Sequence, residues 1–184
     1  AAAIWRAGRP TGRDEWAQLM DGSFGVARLA VQSAARALGR TIHDLATTLL
    51  LAVATPEQTA AGQVGDGAVV ARLADGELTA LTRPPHTEHL NETTFLTSDD
   101  GPAAMQFVLH DGPAQGLALL TDGLQMLALK MPQGEPHPPF FAPLFRFAAG
   151  RREADGVPPV ARRRAANRRR PDISAGGAAG GAVS

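Results

Sequence analysis

The chain of 184 residues contains no cysteine. It can therefore form no disulfide, no thiolate metal site and no cysteine nucleophile, a composition typical of the reducing cytoplasm, where we expect the protein to be located. No apolar run approaches the ~20 residues of a membrane span, and the first eight residues lack the apolar core of a signal peptide. Because the sequence starts with alanine, we expect a fragment or a processed product.

The formal net charge of zero hides two regions of opposite charge. Residues 1–150 carry 10 Lys and Arg against 15 Asp and Glu, whereas residues 151–184 carry 8 Arg against 3 acidic residues. Large apolar side chains almost vanish in the second region, so it cannot bury enough surface to offset the entropy of ordering. We therefore predict a loose lead-in at residues 1–12, a folded domain at residues 13–149, and a disordered tail at residues 150–184.

Arginine clusters in this tail are one signature of nucleic-acid binding, through contacts with phosphates. However, no aromatic residues are interleaved with them, and no helix–turn–helix or similar motif accompanies them. We therefore expect a solvated tail and no nucleic-acid partner.

Apolar periodicity predicts an α+β domain. Apolar residues recur every three or four positions over residues 13–39, which indicates a helix, and residues 140–149 form a second, aromatic-rich helix. Residues 45–55 form a nearly continuous apolar run that favours a central strand buried on both faces. Short turns connect this strand to three others, which predicts one antiparallel sheet that also contains residues 59–65, 68–73 and 78–81. A tight link between two later strands predicts a hairpin of residues 104–109 and 115–120.

Two Asp-Gly turns at strand ends are the main functional clue. Asp66 lies between two glycines in the stretch QVGDGAVV, which we interpret as a hairpin, and Asp122 follows a second apolar strand in the stretch GLALLTDGLQ. Glycine lets a backbone approach a ligand closely, and carboxylates supply oxygen ligands. A turn without further function is the alternative for Asp66, and the N-cap of a helix ending near Lys130 is the alternative for Asp122. Asp75, in a third Asp-Gly pair, is interpreted as a hairpin turn only.

The order of these pieces resembles the metal-dependent protein phosphatases of type 2C, and in particular their divergent bacterial branch. The resemblance covers roughly residues 16–149. Its most specific parts are three short motifs that occur in the family's order, with the block NETTFLTS between the last two: Thr47-Thr48-Leu49, Gly65-Asp66-Gly67 and Thr121-Asp122-Gly123.

This resemblance implies a fold, a reaction and a site. The implied fold is a sandwich of two antiparallel β-sheets flanked by helices. The implied reaction is hydrolysis of phosphoserine and phosphothreonine esters in a phosphorylated protein substrate, by a water that two Mn²⁺ or Mg²⁺ ions activate. By position, the resemblance implies that Asp122 is a ligand of the main metal site, and that Asp66 lies near an additional, weaker ion.

Two motifs of the family have no secure counterpart. The early Asp-Gly motif should precede the first long helix, but residues 1–12 contain no acid, and Asp21 of the Asp-Gly pair in DGSFG lies inside a helical period. For the closing acidic motif only Asp155 and Asp172 are available, and neither has an apolar continuation. We therefore expect a domain truncated at both ends, with a non-catalytic phosphatase-like binding module as the alternative to an active enzyme.

Overall fold

The computed structural model describes residues 9–85 and 93–154, except for the side chains of residues 152–154. Its α-helices are α1 (Arg13–Ala37), α2 (Gln125–Ala128) and α3 (Pro138–Ala154), and 3-10 helices cover Ile42–Leu45, Gly101–Ala104 and Asp122–Leu124. The strands are β1 (Leu49–Ala54), β2 (Gln58–Val64), β3 (Ala68–Leu73), β4 (Leu78–Thr82), β5 (Gln106–Asp111), β6 (Ala114–Leu120), β7 (Leu129–Lys130) and β8 (Glu135–Pro136).

Six of these strands form two antiparallel three-stranded sheets, with the orders β1-β2-β5 and β4-β3-β6. Alternate residues of a strand point to opposite faces, so Val69 and Ala71 of β3 face the other sheet while Ala68 and Val70 face outward. The inward residues of both sheets form one shared apolar core. This arrangement confirms the predicted α+β sandwich.

Helices cover the outer face of each sheet. On α1, Trp16, Met20 and Phe24 are four residues apart and share one side of the helix, which they bury against the β1-β2-β5 sheet. On α3, Phe141 and Phe145 bury the outer face of the β4-β3-β6 sheet. The described residues therefore form four layers: helix, sheet, sheet and helix.

The predicted hairpin at Asp66 is wrong, because β2 and β3 belong to different sheets. The turn between them is a corner at which the chain crosses from one sheet to the other. The predicted hairpin of β5 and β6 is wrong for the same reason, since β5 pairs with β2 and β6 pairs with β3. Packed sheets lie only ~10 Å apart, so a short link can cross between them as readily as it joins neighbouring strands.

The first apolar run forms a shorter strand than predicted, and this strand is not central. Within the described ranges β1 lies at the edge of its sheet, and β2 lies between β1 and β5. Both faces of β1 are nevertheless covered, because Leu49 and Leu51 contact the α1 layer while Leu50 contacts the opposite sheet. A continuous apolar run therefore indicates a strand whose two faces are both covered. It does not indicate whether the strand lies in the middle or at the edge of its sheet.

The last helix extends beyond the predicted domain boundary. α3 ends at Ala154, so residues 150–154 are helical and the prediction of disorder is wrong for them. The remainder of the predicted tail, residues 155–184, and residues 1–8 of the lead-in lie outside the described residues. In the ranges that the structure describes, no helix is both long and apolar enough to span a membrane.

The Asp66 corner and the Asp122 turn as a candidate active site

Asp66 and Asp122 lie on backbone segments that leave the same sheet side by side. Ala68 pairs with Leu120 in the β3–β6 ladder, so the residues just before Ala68 and just after Leu120 meet at one end of the sandwich. The approach is close, because a Cβ atom on Gly67 would lie only 2.5 Å from the carbonyl oxygen of Leu120. The register thus brings the two predicted acids to one edge.

The corner of residues 65–67, hereafter the Asp66 corner, requires both of its glycines. Gly65 has a φ of +108°, which side chains rarely adopt, and a Cβ atom there would overlap the side chain of Thr48. Gly67 is confined by the Leu120 carbonyl and by a methyl group of Leu50. The residues on either side of Asp66 are therefore held between the chain that leads into β1 and the end of β6.

A buried amide supports this corner from the core. Gln63, at the end of β2, is fully buried, and its Nε2 lies 3.0 Å from the carbonyl oxygen of Gly65, 2.7 Å from that of Gly67 and 3.2 Å from that of Arg83. Its Oε1 accepts a hydrogen bond from the hydroxyl of Thr82, which in turn accepts one from the backbone N–H of Val69 at 3.0 Å. A buried amide with all these partners avoids the desolvation cost of unpaired polar atoms.

Two residues contact Asp66 from outside the core. The hydroxyl of Thr93 donates to Oδ2 of the half-buried Asp66 at 3.1 Å. Nε2 of Gln125 donates to the backbone carbonyl of Asp66. Asp66 is therefore restrained through its carboxylate by one segment and through its main chain by another.

The segment that carries Thr93 is fastened to the domain by backbone contacts. The backbone N–H of Leu96 donates to the carbonyl of Thr47 at 2.8 Å, and Nη1 of Arg28 on α1 donates to the carbonyls of Leu96, at 2.6 Å, and Ser98. The Thr-Thr-Leu motif and residues 93–98 of the NETTFLTS block thus meet beside the corner.

Asp122 is exposed and is the first residue of its 3-10 helix. The predicted N-cap role for Asp122 is wrong, because Thr121 holds the cap position and makes no side-chain capping hydrogen bond. The helix is also shorter than predicted, since α2 ends at Ala128 and the chain continues directly into β7.

Comparison with known proteins assigns the chain to a family. The sequence pattern of the family described as "Protein phosphatase 2C" matches residues 7–158. The chain belongs to the protein phosphatase 2C family. It is also 37% identical over 133 residues to "Serine/threonine-protein phosphatase 3" of Escherichia coli (strain K12), an alignment that covers 71% of the chain and 51% of that relative. The chain thus spans about half the length of this relative. No solved structure gives a significant match.

In this protein phosphatase 2C chain, Asp21 lies away from any acidic cluster. It is an exposed residue in the middle of α1, which continues unbroken through Gly22 and Gly25. Among the residues that the structure describes, no three or more His, Cys, Asp or Glu side chains form a group that could hold a metal ion. Asp21 therefore does not join Asp66 and Asp122 in such a group.

The donor set at this edge suits one kind of metal binding and not another. Asp66 and Asp122 offer hard oxygen ligands, and Mg²⁺ is commonly held by only one or two carboxylates while it keeps several waters. Two carboxylates are the number that such a largely hydrated ion takes from a protein. They do not fit a two-ion centre, which needs further anionic ligands to neutralise two divalent charges.

The sequence reasoning missed the supporting residues Gln63, Thr93 and Gln125. Gln63 is a long polar side chain at a buried position of an apolar strand, and that mismatch was a usable signal. For Thr93 and Gln125 no local pattern marks a role, because their contacts to Asp66 cross 27 and 59 residues of sequence.

Proposed function

We propose that the Asp66 corner and the Asp122 turn form the acidic part of the active site of a serine/threonine protein phosphatase domain. The convergence of these two segments at one edge of the sandwich carries the proposal. The family and the printed name of the Escherichia coli relative support the reaction class, which is hydrolysis of phosphoserine and phosphothreonine esters in protein substrates. We also propose that the protein works in the cytoplasm, as the lack of cysteine favours.

The residues at this edge would act chiefly by charge and orientation. A bound Mg²⁺ or Mn²⁺ would supply a polarising positive charge for phosphoryl chemistry. The carboxylate of Asp122 is exposed and accessible to such an ion, whereas that of Asp66 is half-buried and oriented by Thr93. Asp122 is therefore the stronger candidate for the main ligand, and Asp66 for a weaker, peripheral one.

Calorimetric titration of the full chain with MnCl₂ tests the site. Asp122→Asn removes a charge and a ligand oxygen from an exposed position, so we expect the affinity for Mn²⁺ to fall at least ~10-fold, with a smaller loss for Asp66→Asn. Asp75→Asn is the matched control, because Asp75 lies in an Asp-Gly turn at the opposite end of β3. Equal affinities in all four proteins would contradict the proposal.

In the described residues, no three or more His, Cys, Asp or Glu side chains form a group that could hold a metal ion. This finding favours a second candidate, a phosphatase-like module that binds metal or phosphoprotein without catalysis. Hydrolysis of p-nitrophenyl phosphate and of a phosphothreonine peptide with Mn²⁺ distinguishes the two functions. Turnover that Asp122→Asn abolishes supports the enzyme. Mn²⁺ binding without turnover in the wild-type chain supports the non-catalytic module.

A further inference from the structure

We infer that Gln125 is a positioning residue that couples the Asp66 corner to the Asp122 turn. This inference rests on the proposed function, because it assigns Gln125 a role at the same edge. Gln125 follows Asp122 by three residues and is the first residue of α2, and its Nε2 donates to the backbone carbonyl of Asp66. One side chain therefore joins the two segments that carry the acids.

The orientation of Gln125 reverses the ordinary distribution of polar and apolar residues. On the same short helix Met126 and Leu127 are 80% and 64% exposed, whereas Gln125 is partly buried. Exposing two large apolar side chains while turning an amide inward is unfavourable by area alone, since apolar burial is worth about 25 cal/mol per Å². The hydrogen bond to Asp66 is the contact that this orientation gains.

Gln125 completes a set of restraints on the corner. The carbonyls of Gly65 and Gly67 are already held from the core by Gln63. Gln125 holds the remaining carbonyl, that of Asp66. All three carbonyls of the corner then accept a hydrogen bond from a side-chain amide, which restrains the backbone that carries the Asp66 carboxylate.

Gln63 and Gln125 differ in what they attach the corner to. Gln63 joins it to the sheets and sets its shape. Gln125 joins it to the segment that begins with Asp122, and so determines the position of one acid relative to the other. Groups that orient metal ligands without touching the ion typically change metal affinity by 10–100-fold when they are removed.

The experiment compares Gln125→Met with Gln115→Met in the full chain. Methionine keeps the length of the side chain and removes the amide donor. Gln115 is the matched control, because its Nε2 also donates to a turn carbonyl, that of Ala74, at 2.7 Å. That turn is the Asp75 hairpin, at the other end of β3. Mn²⁺ affinity is measured by calorimetry and thermal stability in metal-free buffer.

We expect Gln125→Met to weaken Mn²⁺ binding by up to about 10-fold, the low end of that range, and by no more than Asp66→Asn does. Gln115→Met should leave the Mn²⁺ affinity unchanged. The two variants should have similar melting temperatures, because each loses one side-chain-to-backbone hydrogen bond. In the Asp66→Asn background, Gln125→Met should cause a smaller loss of Mn²⁺ affinity, because Gln125 acts through the Asp66 carboxylate and that carboxylate is already absent.

Three outcomes would overturn the inference. Unchanged affinity in Gln125→Met, while Asp66→Asn and Asp122→Asn bind weakly, rejects the positioning role and leaves the proposed function intact. A lower melting temperature with normal affinity shows a purely structural role. Normal affinity in both Asp variants rejects the proposed site, and the role of Gln125 falls with it.

Discussion

Two turns at opposite ends of β3 have the same Asp-Gly sequence, but their surroundings in the fold differ. The Asp66 corner joins two different sheets and is confined by Thr48, Leu120 and the buried amide of Gln63. The Asp75 turn joins neighbouring strands β3 and β4 of one sheet and is exposed. Its side-chain contacts are a local one, from the N–H of Glu77 to Asp75 at 2.9 Å, and one from the side chain of Gln115 to the carbonyl of Ala74 at 2.7 Å.

The difference lies in where the hydrogen bonds of each turn go. In the Asp75 turn all but one close within a few residues, and the exception is the exposed bond from Gln115 to the carbonyl of Ala74. In the Asp66 corner they go to residues that are remote in sequence, such as Thr93 and Gln125. A turn that many segments support can hold a carboxylate in a defined direction, whereas a locally closed hairpin turn serves chain reversal alone.

The largest difference in stability between the two turns should come from substitution of their glycines. Gly65 and Gly76 have similar positive φ angles, +108° and +94°, but a Cβ atom overlaps Thr48 at Gly65 and meets nothing within 4 Å at Gly76. Gly76→Ala should cost only the backbone strain, about 1–2 kcal/mol. Gly65→Ala adds overpacking, and we expect a total of roughly 2–5 kcal/mol. Urea unfolding of both variants measures the difference, and equal losses would show that the corner can relax.

The next largest difference in stability should come from substitution of the buried amide. Gln63 and Gln106 both donate to the carbonyl of Arg83, but Gln63 is fully buried and holds the corner, whereas the bond from Gln106 is exposed. Gln63→Leu removes the amide donor from the carbonyls of Gly65 and Gly67 and leaves the Thr82 hydroxyl without an acceptor, which should cost about 2–3 kcal/mol. Gln106→Leu should cost about 0.5–1 kcal/mol. The same unfolding measurement compares them, and similar values would mean that water replaces the Gln63 amide.

The smallest contrast in stability should come from the two acids themselves. Asp66→Ala loses the hydrogen bond from Thr93, and Asp75→Ala loses the one from the N–H of Glu77. Each variant should lose about 0.5–1.5 kcal/mol, the usual net value of one hydrogen bond. Both melting temperatures are measured without metal. A much larger loss for Asp66→Ala would show that its carboxylate stabilises the corner and is not held there for ligand binding.

Sequence patterns predicted the positions of helices and strands better than they predicted which strands pair. The periods of α1 and of the apolar runs predicted the helices and strands because they depend only on which faces are buried. The pairing of β2 with β5, and of β3 with β6, depends on contacts that are remote in sequence. A short turn between two strands looks the same whether it joins them in one sheet or across two.

The candidate site shows the same division. Asp66 and Asp122 were predicted because glycine beside a strand-end acid is a local pattern. Gln125 was not, because an amide on the surface of a short helix has no distinctive signature until its partner across the fold is known. The two residues of the early Asp-Gly motif also occur at Asp21 and Gly22, but a continuous helix exposes this acid to solvent.

The connections that cross between the two sheets have a consequence for folding. The chain crosses at the Asp66 corner, crosses back between β4 and β5, and crosses again between β5 and β6, at the end of the sandwich opposite the corner. Each sheet therefore contains strands from both halves of the chain, and the first cannot be completed until β3 and β4 of the second have been synthesised. Neither sheet is an independent folding unit. The described domain should unfold in a single cooperative transition, at a rate governed by its long-range strand pairs.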